Sequence, residues 1–167
     1  MKVSTEDIKE LREKSGAGVM ECRNALVAAE GQIEKALEIL KSQNMVKVEK
    51  KKARIAAQGL VECYVHAGGR IGAMIEINCE TDFVARTDQF KELAHNVAMQ
   101  VAAMEPECVS QDQLPAGSEA DPKVACLMLQ PYIRDQAITI QDLVNQAIAK
   151  LGENIKISRF ARYEVGD

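Results

Sequence analysis

The feature that most constrains this chain is a change in hydrophobic period at Gly59. Upstream, apolar residues recur every three to four positions, the spacing of helix faces. Downstream, Val61, Cys63 and Val65 alternate with Glu62 and Tyr64, and Ala73, Ile75 and Ile77 alternate with Met74, Glu76 and Asn78, the spacing of strands. A helical piece followed by a strand-bearing piece is the pattern of an α+β chain, and His66-Ala67-Gly68-Gly69-Arg70 between the two alternating runs supplies the turn of a β-hairpin.

The helical piece divides into three. Ser4 stands three residues ahead of Asp7, an N-cap signature, and a first helix carries Ile8 and Leu11 to about Lys14. Ser15-Gly16-Ala17-Gly18 stops it. A second helix places Val19, Cys22, Leu26 and Ala29 at helical spacing and ends at Gly31, and a third carries Ile33, Ala36, Leu37 and Leu40. Three short amphipathic helices bury their stripes against one another, so residues 1–45 are expected to form a small bundle. Residues 46–58 (VKVEKKKARIAAQ) set Lys47, Lys50, Lys51, Lys52 and Arg54 against Glu49 alone. They read as a basic linker helix, either a solvated spacer or a phosphate-binding strip; no aromatic residues are interleaved for base stacking.

Residues 59–167 are expected to form the α+β core. After the hairpin comes a charged connection, then a helix from Asp88 with Phe90, Leu93, Val97, Val101 and Met104 on one stripe. Residues 105–139 hold all four prolines and read as loop with a short helix near Ala125 to Leu129. A last helix carries Leu143, Val144, Ala147, Ile148 and Leu151, and Gly152-Glu153-Asn154 ends it. A closing strand places Ile155, Ile157, Ala161, Tyr163 and Val165 on one face. The expected layer is a three-stranded antiparallel sheet with helices over one face, the other keeping side chains such as Tyr64, Met74 and Phe160. So small a sheet has two edges and invites a second copy of the chain.

Composition enters through what it excludes. A formal charge of -4 lacks the strong positive excess of a dedicated nucleic-acid binder. No apolar run approaches the ~20 residues of a membrane helix. The opening MKVSTEDIKE has no signal-peptide core, so a cytoplasmic protein is expected. The cysteines, Cys22, Cys63, Cys79, Cys108 and Cys126, form no C-x-x-C pair, so no structural metal is expected. There is no phosphate loop, and no arrangement points to a catalytic residue or a cofactor. A thiol enzyme using Cys63 or Cys79 with His66 or His95 is a competing class, as is a ribosome or nucleic-acid adaptor using Lys47 to Arg54.

The segment that draws the eye is Thr81-Asp82-Phe83-Val84. One of three phenylalanines in the chain sits in this charged connection. Two placements are open: Phe83 packs beneath the sheet while Thr81 or Asp82 caps a turn, or it protrudes as an aromatic anchor beside a carboxylate.

Four ordered motifs then bear on function. NCETDFVARTDQF, LREKSGAGVMECRNAL, GLVECYVHAGGRIGAMIEIN and AIAKLGENIKISRFARYEVG resemble, in order and over nearly the whole chain outside residues 105–139, the signatures of the elongation factor Ts family. That resemblance implies a guanine-nucleotide exchange factor that binds elongation factor Tu·GDP and is not an enzyme. Its N-terminal module would be similar to the ubiquitin-associated three-helix fold. Thr81, Asp82, Phe83 and Val84 would disturb the partner's Mg²⁺ and phosphate site, with Phe83 as wedge and Asp82 beside it. Arg12, Met20, His66, Leu151 and Gly152 would make further contacts. The family usually has Met where this chain has Val19. The region before Ile140 is shorter than in relatives that carry a helical hairpin there, and a single sheet half resembles the short members that pair as homodimers.

Overall fold

The computed structural model describes residues 3–166, and Met1, Lys2 and Asp167, the ends of the expected segments, lie outside the described residues. The chain divides into two compact units, Met1–Lys51 and Lys52–Asp167.

In the first unit, helix α1 (Thr5–Ser15) starts on a reciprocal cap: the Ser4 hydroxyl accepts from the Asp7 amide at 3.0 Å and the Asp7 carboxylate accepts from the Ser4 amide at 3.3 Å. It stops at Gly16, whose φ of 66° is left-handed and suits a residue without Cβ. Helices α2 (Val19–Ala28) and α3 (Ile33–Lys52) complete the bundle around Leu11, Cys22, Ala25, Leu26, Ala36 and Leu40. Val19 is not part of that core; it stands 50% exposed at the start of α2. The basic residues do not form a separate linker helix. Lys47 to Lys52 prolong α3, where Lys47 pairs with Glu21 of α2, and the helix ends before Ala53.

The second unit is a three-stranded antiparallel sheet of order β1-β2-β5, formed by β1 (Gln58–Val65), β2 (Ile71–Cys79) and, last in the chain, β5 (Ile155–Glu164). Between β2 and β5 the chain runs through α4 (Asp82–Ala85), α5 (Asp88–Met104), α6 (Pro122–Ala125), a two-stranded ribbon of β3 (Pro131–Tyr132) and β4 (Asp135–Thr139), and α7 (Ile140–Leu151). The α5 residues Phe90, Leu93, Val97 and Val101 are buried, and so are Val144 and Ile148 of the α7 stripe together with Ile140, whereas Leu143, Ala147 and Leu151 are half-buried. Ala73, Ile75 and Ile77 of β2 and Ile155 and Ile157 of β5 are buried as well. Met104 leaves the α5 stripe and is exposed as that helix ends.

Three details differ from what the sequence pattern implies. The β1 register sets Glu62 opposite Ile75 and Cys63 opposite Met74, so Glu62 and Tyr64 take the helix side while Val61, Cys63 and Val65 take the open side. The polar pair is tolerated there because β1 is an edge strand and α5 offers partners. Glu62 Oε1 lies 3.2 Å from His95 Nδ1, and the Tyr64 ring meets the His95 ring edge-on at 5.6 Å between centroids. In β5 a bulge at Ser158 changes the phase. Ile155 and Ile157 face the helices, but beyond the bulge Phe160 stands opposite Ile75 and Arg162 opposite Ala73, leaving Ala161 and Tyr163 on the open face. Tyr163 is 74% exposed, and Arg162 Nε donates to the Ala102 carbonyl of α5 at 3.2 Å. Of Tyr64, Met74 and Phe160, expected on the open face, Met74 alone has that place.

The third departure is in residues 105–139, which are more ordered than a proline-rich loop suggests. The short helix is α6, ending at Ala125, followed by a 3-10 turn over Leu127–Leu129. Buried Gln100 of α5 holds this segment. Its Nε2 donates to Gln130 Oε1 and to the Pro131 carbonyl, both at 3.1 Å, and its Oε1 accepts from the Ile133 amide at 3.0 Å. Gln130 in turn donates to the Val124 carbonyl at 2.7 Å. Every polar end of Gln100 is thereby matched inside the core. Gln100→Ala leaves the Pro131 and Ile133 backbone groups short of a partner, and we expect urea unfolding to register a loss of about 1–3 kcal/mol.

Candidate functional site

The β2 ladder ends at Cys79, and the chain must reverse into α5 within eight residues. The turn is built from capping side chains. Thr81, extended at φ -127° and ψ 154°, is the N-cap of α4 and accepts from the Val84 amide at 3.4 Å. Thr87 closes the other end: its hydroxyl donates to the Val84 carbonyl at 2.8 Å and accepts from the Phe90 amide, the first capped donor of α5. Within a single helical turn, residues are spread by ~100° each. Ala85 is buried and Val84 half-buried, so the sector occupied by Asp82 and Phe83 must face water. Phe83 is 81% exposed. Of the two placements open to this ring, the protruding one is found. Asp82 lies beside it and pairs with Arg86 at 2.8 Å.

A second turn braces the first. Helix α7 ends at Gly152, left-handed at φ 82°, which allows Glu153 and Asn154 to double back toward β2. Glu153 Oε2 accepts from the Glu80 and Thr81 amides at 3.1 and 3.0 Å, and Glu153 Oε1 accepts from the Thr81 hydroxyl at 2.6 Å. The exchange is reciprocal. Glu80 Oε1 accepts from the Asn154 amide at 2.6 Å, and the Asn154 side chain donates to the Arg54 carbonyl at 2.8 Å. Half-buried Leu151 and exposed Gly152 are therefore brought beside Thr81, Asp82, Phe83 and Val84, an adjacency that no spacing in the sequence encodes. In the sequence Glu153 and Asn154 read only as residues that end a helix and Glu80 only as part of a charged connection, because their partners lie more than seventy positions away.

The remaining expected contact residues belong to other elements. His66 sits in the hairpin turn at the opposite end of β2 from Cys79, where Tyr64 Oη lies 3.1 Å from its Nδ1. Nine residues of strand separate the two ends, roughly 26 Å at ~3.3 Å per residue. Arg12 and Met20 belong to the first unit. Arg12 is exposed on α1, and Met20, 60% exposed on the first turn of α2, is not a core residue.

Cys79 and Cys108 are not poised as nucleophiles. Burial pushes the Cys79 thiol up, with the Glu153 carboxylate adding to it, and Cys79 Sγ donates to the Thr81 carbonyl at 3.1 Å. Burial also raises Cys108 to about 11, helped by Cys126, whose sulfur lies 3.5 Å away. A reactive cysteine needs the opposite shift. His66 and His95 are engaged by Tyr64 and Glu62. Among the described residues no group of three or more His, Cys, Asp or Glu is placed to hold a metal ion, and no helix is long and apolar enough to cross a membrane.

Comparison with known proteins gives the family. The family model described as elongation factor TS matches residues 2–123. Relatives named elongation factor Ts include those of Thermotoga neapolitana, 46% identical with 100% of this chain and 99% of that protein covered, and Moorella thermoacetica, 43% identical with 99% and 96% covered. That of Fervidobacterium nodosum is 42% identical, with both chains covered in full. The alignments run to 195–197 positions against 167 residues, so these relatives contain segments absent here. The fold and these matches define a translation elongation factor. The chain belongs to the elongation factor Ts family.

The burial of Cys79 gives a direct check on the turn. A raised pKa keeps a thiol protonated to higher pH, so Cys79 in the native protein is expected to resist iodoacetamide at pH 8. Cys79 is expected to react only after unfolding, as peptide mass spectrometry reads out.

Proposed function

We propose that this protein is a guanine-nucleotide exchange factor for elongation factor Tu, acting by binding and not by catalysis, with the Asp82–Phe83 turn as its wedge. The observation that carries the reading is the exposure of Phe83 on a turn capped at both ends. Leaving a phenyl ring in water forgoes on the order of 1.5–3 kcal/mol of burial, a cost that a partner can recover.

A GTPase of this class holds GDP through backbone amides on its phosphates and a Mg²⁺ ion that bridges nucleotide and protein. A protein that binds the nucleotide-free state better than the GDP state must, by linkage, weaken GDP by the same factor. Insertion of Phe83 between elements of the partner near the metal, with Asp82 competing for groups around it, supplies such a preference without breaking a bond. Thr81 and Val84 hold the turn. Leu151 and Gly152, beside it, extend the contact, and the missing side chain at Gly152 permits close backbone approach. Arg12, Met20 and His66 serve separate contacts; the exposure of Arg12 and Met20 supports that use. The basic residues favour the spacer role over a nucleic-acid role, since Lys47 pairs with Glu21 and Arg54 with Glu80. As a translation factor of this kind the protein would work in the cytoplasm.

The test is stopped-flow release of labelled GDP from elongation factor Tu. Wild-type protein is expected to accelerate release, and Phe83→Ala to cut that stimulation at least ~10-fold, as loss of a hot spot worth ~2 kcal/mol or more would. Full activity in the variant would remove Phe83 from the mechanism.

We further propose that the chain forms a homodimer through the open sheet face. Val61, Val65, Met74 and Tyr163 are all exposed there, an apolar surface on one side of a three-stranded sheet. Sedimentation at micromolar concentration is expected to give a species of twice 18.3 kDa, and Met74→Glu to shift it toward monomer.

A further inference from the structure

We infer that Glu153 is a positioning residue for the Asp82–Phe83 turn, its carboxylate setting the capped geometry from which the Phe83 ring projects. The inference rests on the exchange-factor reading of Phe83 and adds to it the element that keeps the ring outward before any partner arrives.

Helix α4 is four residues long, and an isolated turn of that length does not hold itself together in water. Its apolar anchors are slight, one buried alanine and one half-buried valine. What fixes it is polar. Two successive backbone amides, of Glu80 and Thr81, converge on one oxygen of Glu153, at 3.1 and 3.0 Å, the concave amide arrangement that favours an anion. Bonds to an ionised acceptor are stronger than neutral ones. The other oxygen accepts a hydrogen bond from the Thr81 hydroxyl at 2.6 Å. Thr81 has one hydroxyl proton. Once it is engaged in that bond, the hydroxyl oxygen can only accept toward the chain that follows, and the Val84 amide is the donor it meets. The carboxylate thus sets the sense of the cap as well as its place.

Glu153 is itself located by tertiary contacts and not by its own helix. Gly152 has ended α7, and the Asn154 amide and side chain tie the turn to Glu80 and to the carbonyls of Lys52 and Arg54. Without the carboxylate, the Glu80 and Thr81 amides can turn to water, because Thr81 is exposed, so the sheet and helices survive. The turn then loses its single geometry, and Phe83 can fold back on its own protein. Binding affinity falls by the fraction of molecules left in the competent form.

The experiment uses the full chain as wild type, Glu153→Ala, Glu153→Gln, Phe83→Ala and the Glu153→Ala/Phe83→Ala double variant. In stopped-flow GDP release at sub-saturating factor, Glu153→Ala is expected to lose about tenfold of the stimulation, by the population arithmetic above. Glu153→Gln keeps one acceptor oxygen and should fall between it and wild type. In the Phe83→Ala background the same change is expected to cost less than about twofold, because its effect passes through the ring. Hydrogen exchange on the free protein gives a readout without the partner: the Thr81 and Val84 amides of Glu153→Ala should exchange at least about tenfold faster, with Ile77 of β2 unchanged. Wild-type exchange activity in Glu153→Ala overturns the assignment. So does a loss that multiplies in full with that of Phe83→Ala, or equal deprotection of Thr81 and Ile77. If wild-type protein does not stimulate GDP release, the exchange reading has failed and the functional role of Glu153 with it. Fast exchange at Thr81 and Val84 in Glu153→Ala would identify that case, since the brace would be real while its purpose was misread.

Discussion

The second unit depends on the apolar stripe of α5 lying across the inner face of β2. Phe90, Leu93, Val97 and Val101 meet a strand whose inward residues, Ala73, Ile75, Ile77 and Cys79, are buried at every position. β2 is the central strand, so both neighbours are registered against it, and the helix that covers it defines which face of the sheet is dry. Once that layer is set, the chain linking Cys79 to Asp88 is short and has no freedom to cross the core. It must pass over the rim of the sheet, and a residue in its outward sector must meet solvent. The exposure of Phe83 is in that sense a consequence of packing elsewhere.

Rigid support beneath an exposed ring has a thermodynamic meaning. A wedge works only to the extent that binding energy is not spent in ordering it, and a four-residue turn left to itself would spend a good deal. Caps from Thr81 and Thr87 fix its two ends, and the exchange of carboxylates and amides between Glu80–Thr81 and Glu153–Asn154 joins it to the end of α7. These are charge-assisted bonds at the margin of the fold, where full burial would make an ion costly and full exposure would make it weak. The same margin explains Cys79. It is buried just inside the brace, its thiol held neutral by burial and by the adjacent carboxylate, and its hydrogen donated to the turn it supports.

The two faces of the sheet make an instructive contrast. The inner face accepts Glu62, Tyr64 and Arg162 toward its rim because α5 supplies a histidine, a ring edge and a terminal carbonyl to meet them. The outer face keeps Val61, Val65, Met74 and Tyr163 exposed, with no covering element among the described residues of the sheet unit. Alternation in a strand sorts side chains into two sets but does not say which set is covered. Here the more polar set of β1 went inward.

What the sequence by itself determined is everything governed by near neighbours. The Ser4–Asp7 cap, the stop at Gly16, the hairpin around Gly68-Gly69, the stripes of α5 and α7 and the end at Gly152 each follow from residues within a few positions of one another, where the period of the backbone leaves one solution. The four motifs placed the chain in its family on the same local grounds. What the tertiary structure alone decided involves partners distant in the chain. The bulge at Ser158 flips the face of β5 because β2 imposes its register. Gln100 orders residues 124–133 because the helix and that segment pack together. Glu153 reaches Thr81 across seventy-two residues. Thr81-Asp82-Phe83-Val84 could be read as a candidate from its position between strand and helix, but the direction of the ring could not. A hydrogen bond between residues far apart leaves no periodic trace, and burial is a property of the assembled layers.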